Sequence, residues 1–341
     1  MRIFVGEYVC GGGLADTPVE AVPAGLSQEG AAMLRAIVED LSAVAETVVA
    51  VDPRLIPPPS GWQTVEVHSR ESVWAQWVKA AANCDSALIV APESGGVLAK
   101  AVAMLRAGGI DVIAGSGDFL RVAGDKVLTA KQLHAAGIAH PLYLGGGDRR
   151  FLRKLKRCDR FVLKPRDGCG TQEIRLYDDL EAARADLTDG LILQGWVPGR
   201  PVSIAMVASG SHQTFLPAVC QTLDERTCAY SGGRGPLEPE DQRRATALAG
   251  RAIAAMPPTV RGFVGIDLVL GNRPSEDCVI EINARLTTSY VGLREMIQGN
   301  LAARLFDLET GPVVCDVPAD SIRWTPDGRV FGGGEVVARG A

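Results

Sequence analysis

Two carboxylates, an amide and a guanidinium fall at alternating positions within residues 262–290, GFVGIDLVLGNRPSEDCVIEINARLTTSY. Side chains of an extended strand point to opposite faces in turn. Over 262–270 this sets Val264, Ile266, Leu268 and Leu270 on one side, with Gly265 and Asp267 on the other. In a second strand Ile280, Ile282 and Leu286 share a face, and Glu281, Asn283 and Arg285 share the opposite one. The intervening Asn272-Arg273-Pro274-Ser275 favours a chain reversal. Paired with their apolar faces on a core, the strands bring Asp267, Glu281 and Asn283 together. Three oxygen donors carrying two formal negative charges suit a hard cation such as Mg²⁺. Arg285 at the rim suits bidentate contact with a phosphoryl group in transfer. The competing reading is a strand face that is polar because it meets water, and this stretch alone leaves both open.

Further segments carry chemistry of a related kind. A strand over 160–164 ends in Lys164 and runs into Pro165-Arg166-Asp167-Gly168-Cys169-Gly170-Thr171. Glycines let backbone N–H groups approach phosphate oxygens, and a lysine supplies compact positive charge, so this reads as a flap over phosphates. It is not the Walker pattern, because the lysine precedes the glycines. Residues Gln194-Gly195-Trp196-Val197 end an apolar strand at a strand-to-strand hinge that can offer an adenine ring a slot and backbone partners. Gly11-Gly12-Gly13 after the first strand is either an anion-binding loop or a flexible turn. Glu93, beyond a strand end, either holds a substrate amine or complements a helix dipole. In the loop 230–236, beside Tyr230, Arg234 is either a clamp for a substrate carboxylate or a solvated cation.

The elements that must position these groups alternate in the first third of the chain. Strands are expected at 2–9, 47–51, 64–67, 87–91 and 111–114, with helices at 27–46 (Ser27 as N-cap), 71–82 and 96–107. That alternation argues for a parallel, doubly wound sheet, whose ligands sit beyond the strand carboxyl ends. Pro57-Pro58-Pro59 reads as a rigid surface loop. After Gly115 come helices at 116–124, 125–136 and 148–157, strands at 160–164, 173–177 and 191–196, and a helix at 178–187. Strands at 201–208 and 213–221 follow, then a helix at 238–256, the metal hairpin and a helix at 291–306. The remainder reads as an edge strand and a tail.

With 341 residues and 47% hydrophobic side chains the chain can bury a substantial core. A net charge of −5, without long charged runs, gives no footprint for nucleic acid. No stretch is apolar for the roughly 20 residues of a membrane span, and Glu7 interrupts the opening apolar run, against a signal peptide. Eight scattered cysteines without a CxxC pattern fit reduced thiols in a cytoplasmic protein.

These motifs, in this order, resemble the ATP-grasp superfamily over residues 116–310. The resemblance implies an α/β and α+β fold: an N-terminal doubly wound domain (1–115), a lid domain (116–196), a C-terminal domain with the metal site (197–310) and an edge strand and tail (311–341). It implies that Lys126, Lys164, Gly168, Gly170, Thr171 and Gln194 to Val197 bind ATP. Asp267, Glu281 and Asn283 would hold one or two Mg²⁺, with Mn²⁺ as an alternative, and Arg285 and Lys164 would be catalytic. Two departures are Pro201, where many members carry an acidic ribose contact, and Ala284, where many carry proline. EYVCGGG, APES, YSGGRGP and INARLTTSYVGLR are similar to the tyramine–glutamate ligase branch, which serves methanofuran-type cofactor biosynthesis. That similarity implies a ligase joining a carboxylate (glutamate) to an amine through an acyl phosphate, with release of ADP; a homodimer through the N-terminal domain is common among relatives, and the sequence leaves the oligomeric state open. Gly11, Gly12, Glu93, Tyr230, Arg234, Thr288 and Ser289 would line the substrate pocket. The nucleotide motifs do not define the acceptor, so carboxylation, a kinase reaction or nucleotide-dependent regulation remain alternatives.

Overall fold

The computed structural model describes residues 1–57, 59–168, 173–210, 212–332 and 335–336. Its strands form three sheets. The first contains β1 (Arg2–Glu7), β2 (Glu46–Val51), β3 (Gln63–Glu66), β4 (Ser86–Val90) and β5 (Asp111–Val112), all parallel in the order β3-β2-β1-β4-β5. Its central strands are buried on both faces, which is why they read as unbroken apolar runs. Helix Ala24–Ser42 packs on one face, and helices Val73–Ala81 and Val97–Ala107 on the other. The strand order reverses at the β1/β4 junction, where doubly wound sheets open a ligand crevice beyond their carboxyl ends.

The second sheet is antiparallel, with β6 (Tyr143–Leu144), β7 (Phe161–Pro165), β8 (Arg175–Tyr177) and β9 (Leu191–Gly195) in the order β6-β9-β7-β8. It has its own small core around Tyr143, Phe161, Leu163 and Leu193. The third sheet holds β10 (Arg200–Ser209), β11 (His212–Phe215), β12 (Val219–Leu223), β13 (Tyr230–Gly235), β14 (Gly262–Leu270), β15 (Cys278–Asn283), β16 (Ile322–Trp324), β17 (Val330–Gly332) and β18 (Glu335–Val336). Its order is β15-β14-β10-β12-β13-β16-β17-β18, with β11 beside β10. Helix Pro239–Ala255 covers this sheet with Ala245, Leu248, Ala249, Ala252 and Ile253.

Several expected boundaries move for identifiable reasons. The first helix starts at Ala24, with Pro23 rather than Ser27 at its N-cap. The strand expected over 213–221 is two strands, split around Pro217, whose missing N–H cannot join a ladder. The helix expected over 291–306 is two, Ser289–Leu293 and Leu301–Leu305. The first ends at Leu293, and beyond Gly299, at φ +87°, the Asn300 side chain caps the second by accepting from Ala303 N at 2.9 Å. The helix expected over 148–157 contracts to Leu152–Leu155. Past Gly311 the chain adds three strands rather than one edge strand.

The glycine-rich stretch 230–236, expected as a loop, is mostly strand β13. Its glycines serve packing. A Cβ on Gly233 would lie 2.2 Å from the Trp324 ring, and one on Gly232 would lie 2.0 Å from the Trp324 carbonyl oxygen. Trp324 itself is buried. Gly233→Ala is therefore expected to destabilise the protein by about 1–3 kcal/mol through overpacking. A denaturation midpoint equal to that of the unmodified chain would mean that the indole moves aside without cost.

Candidate active site

The carboxylate hairpin sits in the middle of a ladder. β14 pairs β15 antiparallel, with Asp267 opposite Glu281 and Gly265 opposite Asn283. The register then slips, so that Leu268 faces Val279 and Ile280 is the extra residue of a β-bulge. The bulge corrects the expected apolar face, which is Val279 with Ile282, both buried. Ile280 instead lines the same cavity as Glu281. On the other side of β14, β10 places Ser203 opposite Asp267. Asp267 Oδ1 accepts from Gln221 Nε2 at 3.0 Å, and Oδ2 accepts from Asn283 Nδ2 at 3.1 Å.

Two lysines arrive from other elements. Lys164, at the end of β7, and Lys126, first residue of helix Lys126–Ala135, each place Nζ 3.5 Å from Glu281 Oε2. Asp125 holds Lys126 there: it caps the helix by accepting from Val127 N at 2.8 Å and pairs with Arg166 of the flap at 2.5 Å. Lys126 Nζ also donates to the Gly168 carbonyl, and Lys126 N donates to Arg166 O at 2.8 Å. Asp167 Oδ2 accepts from Gly95 N at 2.9 Å, so the flap touches the loop beyond β4. Gly170 and Thr171 lie outside the described residues.

Burial sets the charges of this cluster. Desolvation and the neighbouring Glu281 push the Asp267 carboxyl up to about 6. Desolvation also opposes ionisation of Glu281, but Lys126, Lys164 and Arg285 overcome it and draw that carboxyl down to about 2. Burial lowers Lys164, although Glu281 works against the shift. Asp267, raised above its ordinary value near 3.8, binds a proton in the folded chain that the unfolded chain has released. Stability therefore falls as pH rises from about 4 through 6, and ionised Asp267 costs folding energy at pH 7. Asp267→Asn is expected to stabilise the metal-free protein at pH 7 by about 1–3 kcal/mol, less the value of one lost acceptor. The gain should vanish near pH 4, and melting curves at both pH values would show it. A variant less stable than the parent at pH 7 would contradict this account.

The other candidate groups divide into those at the cavity and those away from it. Arg285 Nε donates to Glu93 Oε2 at 2.8 Å, joining the carboxylate hairpin to the loop after β4. Glu93 is thus engaged with Arg285, and its other oxygen, Oε1, is buried without a partner among the described residues. Thr287, Thr288 and Ser289 line the cavity, with Thr287 Oγ1 2.8 Å from Ser289 Oγ. Tyr230 and Arg234 line it as well. Trp324 Nε1 donates to Tyr230 Oη at 2.9 Å, and Arg234 pairs with Asp320 at 3.6 Å. Gln194 is buried, and Gly195 N donates to Leu142 O at 2.8 Å. The Trp196 ring lies 4.7 Å from the Arg160 guanidinium. Gly11 and Gly12 are packed beneath Trp77 and Val67, and Trp77 Nε1 donates to Gly11 O at 2.8 Å. They belong to the floor of the parallel sheet and not to the cavity lining.

The cavity occupies about 1120 Å³. Its walls come from the hinge of the four-stranded sheet, the carboxylate hairpin and the carboxyl end of the parallel sheet. Sequence reasoning missed Gln221 and Ser203 behind Asp267, Trp324 from the last strands, and Glu29 on the first long helix. Glu29 had a signal: it interrupts the Leu26, Gly30, Met33 stripe on that helix. Among the described residues no three His, Cys, Asp or Glu side chains form a metal-binding group. The donor set is instead two carboxylates and the Asn283 amide, a hard-oxygen set that fits a divalent cation. Burial at the foot of a cavity and the raised Asp267 carboxyl agree with a site that gains from added positive charge.

Comparison with known proteins accords with this geometry. Residues 123–289 match the ATP-grasp domain family, and residues 45–118 match the pre ATP-grasp 3 domain. The chain belongs to the ATP-grasp superfamily, whose members use ATP and divalent metals. Among individual proteins it is 27% identical to the tyramine–L-glutamate ligase of Methanocaldococcus fervens over 212 residues, 62% of each chain. It is 24% identical to that of Methanocaldococcus jannaschii, over 62% of this chain and 59% of the relative. The match thus spans about three-fifths of these relatives' length. In fold it is similar to an ATP-grasp superfamily protein from Archaeoglobus fulgidus, with a TM-score of 0.71 and 23% identity over 92% of this chain and 90% of the other. It is also similar to the D-alanine–D-alanine ligase from Bacillus anthracis, with a TM-score of 0.58 and 14% identity over 90% and 95%. No helix among the described residues is long and apolar enough to cross a membrane.

Proposed function

We infer that the chain is an ATP-dependent carboxylate–amine ligase that forms an amide and releases ADP and phosphate. The observation that carries this reading is the convergence of Lys126 and Lys164 on Glu281, beside half-buried Asp267, with Lys164, Asp267 and Glu281 lining a cavity bounded by both the hinge and the parallel sheet. A carboxylate is a poor electrophile at neutral pH, so it must first be activated. Its oxygen attacks the γ-phosphorus of ATP, the bond to the β-phosphate oxygen breaks, and ADP leaves. The amine nitrogen then attacks the acyl carbon, the C–O bond to phosphate breaks, and the amine loses a proton. Asp267, Glu281 and Asn283 are the residues that would hold Mg²⁺, whose charge offsets repulsion between an anionic nucleophile and the polyphosphate.

The protein's own groups supply orientation and charge. Lys126 and Lys164 neutralise phosphate oxygens, and Arg285, steadied by Glu93, faces the group in transfer. The 165–168 segment, tethered through Asp167 to Gly95, keeps water from an activated acyl group. Gln194 to Val197 hold the base. Thr287 to Ser289 and Arg234 receive the acid, for which glutamate is the first choice, with tyramine or a similar amine as acceptor. A cytoplasmic setting fits seven cysteines that are free among the described residues. The deciding experiment is a coupled ADP-release screen of amino acids against amines with Mg²⁺, and mass detection of the product. Amine-dependent ADP release with a new amide supports the ligase, whereas ADP release driven by bicarbonate alone points to a carboxylase.

A further inference from the structure

The cavity extends past the carboxylate hairpin to the carboxyl end of the parallel sheet, beyond what the phosphate groups occupy. Helix Ala24–Ser42 forms one wall there, presenting Leu26, Glu29 and Met33 along a single face. Tyr8, following β1, stacks on Trp74 with ring centroids 6.0 Å apart, and Trp324, whose Nε1 donates to Tyr230 Oη, lines the same cavity. Most of this lobe is therefore apolar or aromatic. The charged groups around it are almost all committed. Glu7 accepts from Cys10 N at 2.7 Å, Arg285 is held by Glu93, and Arg234 pairs with Asp320. Glu29 is the exception: it lines the lobe and makes no hydrogen bond or ion pair with any described residue.

We propose that this lobe is the acceptor subsite, with Glu29 binding the ammonium group of an amine whose flat apolar tail lies between Tyr8 and Trp324. The proposal rests on the ligase reading above. Partial burial of an unpaired carboxylate is unfavourable unless something compensates it. Here burial raises the Glu29 carboxyl, against the pull of Arg285, so a cationic partner relieves a real cost. Glu29 lines the same cavity as Tyr230, Asp267 and Thr287 to Ser289, so the subsite opens onto the place where the acyl group forms. An aryl tail suits walls of this kind because aromatic rings contribute beyond their buried area. The bound ammonium is also the nucleophile, so it gives one proton to the Glu29 carboxylate, which frees the lone pair for attack on the acyl carbon, and loses a second as phosphate departs; Glu29 thus selects a cationic acceptor and takes its first proton.

The test uses the full chain with ATP, Mg²⁺ and glutamate, and tyramine as the varied amine. Glu29→Gln should raise the KM for tyramine about 10- to 100-fold, the cost of losing a charged hydrogen bond. The KM values for ATP and glutamate should stay within about twofold of the parent, since Glu29 touches neither in this arrangement. Tyrosol, which replaces the amine with a hydroxyl, should inhibit parent and variant equally. An unchanged KM for tyramine, or equal losses for tyramine and tyrosol, overturns the subsite. If the parent turns over no amine, the ligase reading fails instead. Tyramine binding by calorimetry then decides the subsite alone: weaker binding by Glu29→Gln sustains it, and equal binding or none by the parent refutes it.

Discussion

Replacing Glu281 with glutamine is expected to lower ATP-dependent turnover by about 10³-fold. The substitution preserves shape and removes one charge, the charge on which Lys126 and Lys164 both converge at 3.5 Å. Lys164 is buried, and its attraction to Glu281 opposes the desolvation that favours its neutral form. Without that carboxylate the lysine more readily loses its proton, so two groups of the proposed phosphate cradle are impaired by one change. Folding is affected far less. The Glu281 carboxyl lies below its ordinary value, so its contribution is complete above about pH 4.5 and is lost as pH falls through about 2. At neutral pH the variant forgoes that contribution but also relieves repulsion on Asp267, and the two largely offset. Turnover in coupled ADP assays and thermal melting of the same sample would check both halves. More than a tenth of parental activity would remove Glu281 from the site.

Asp40→Ala should be the most destabilising of the substitutions considered, at about 3–5 kcal/mol. Asp40 is buried on helix Ala24–Ser42, yet its partners come from the far side of the chain. It accepts from Tyr290 Oη at 2.6 Å and from Arg294 Nε at 3.0 Å and Nη2 at 2.5 Å, and its carbonyl accepts from Asn300 Nδ2 at 2.7 Å. The alanine variant strands a buried guanidinium whose proton these carboxylates hold more firmly than usual. Glu39, 2.8 Å from Arg294 Nη1, remains as a partner and keeps the cost toward the lower end of that range. Calorimetric unfolding should show a lower midpoint, and Asp40→Asn, which retains an acceptor for Tyr290, should recover part of it. Equal midpoints for Asp40→Ala and the parent would mean that Arg294 finds full compensation elsewhere.

How much of this was legible beforehand depended on the range of the forces involved. Alternation along 262–270 and 278–283 is local, so the pairing of Asp267 with Glu281 followed from strand geometry. The bulge at Ile280 was not legible, because it depends on how a ladder accommodates a residue too many. Gly232 and Gly233 carry the composition of a turn, and only the approach of Trp324, some ninety positions later, explains them as strand. The role of Asp40 was equally hidden, since a carboxylate on an amphipathic helix is ordinarily solvated. Glu93 was read as a contact for substrate or a helix dipole, whereas it holds Arg285, a partner nearly two hundred residues away. Glu29 could have been noticed as a charge in an apolar stripe, but nothing local distinguishes it from its exposed neighbours Glu20 and Gln28.

The cavity wall is shared among three sheets, of which the four-stranded one has an apolar core of its own while the parallel and nine-stranded sheets share theirs. Glu29, Leu26 and Met33 stand on a helix of the parallel sheet, while Lys164, Asp267 and Glu281 belong to the two antiparallel ones. On the ligase reading, substitution at the cavity-facing positions of the first helix can alter which nucleophile is admitted while the side chains proposed to handle polyphosphate stay on their own strands. Such partitioning lets one phosphorylating apparatus be inherited unchanged while its acceptor repertoire diversifies.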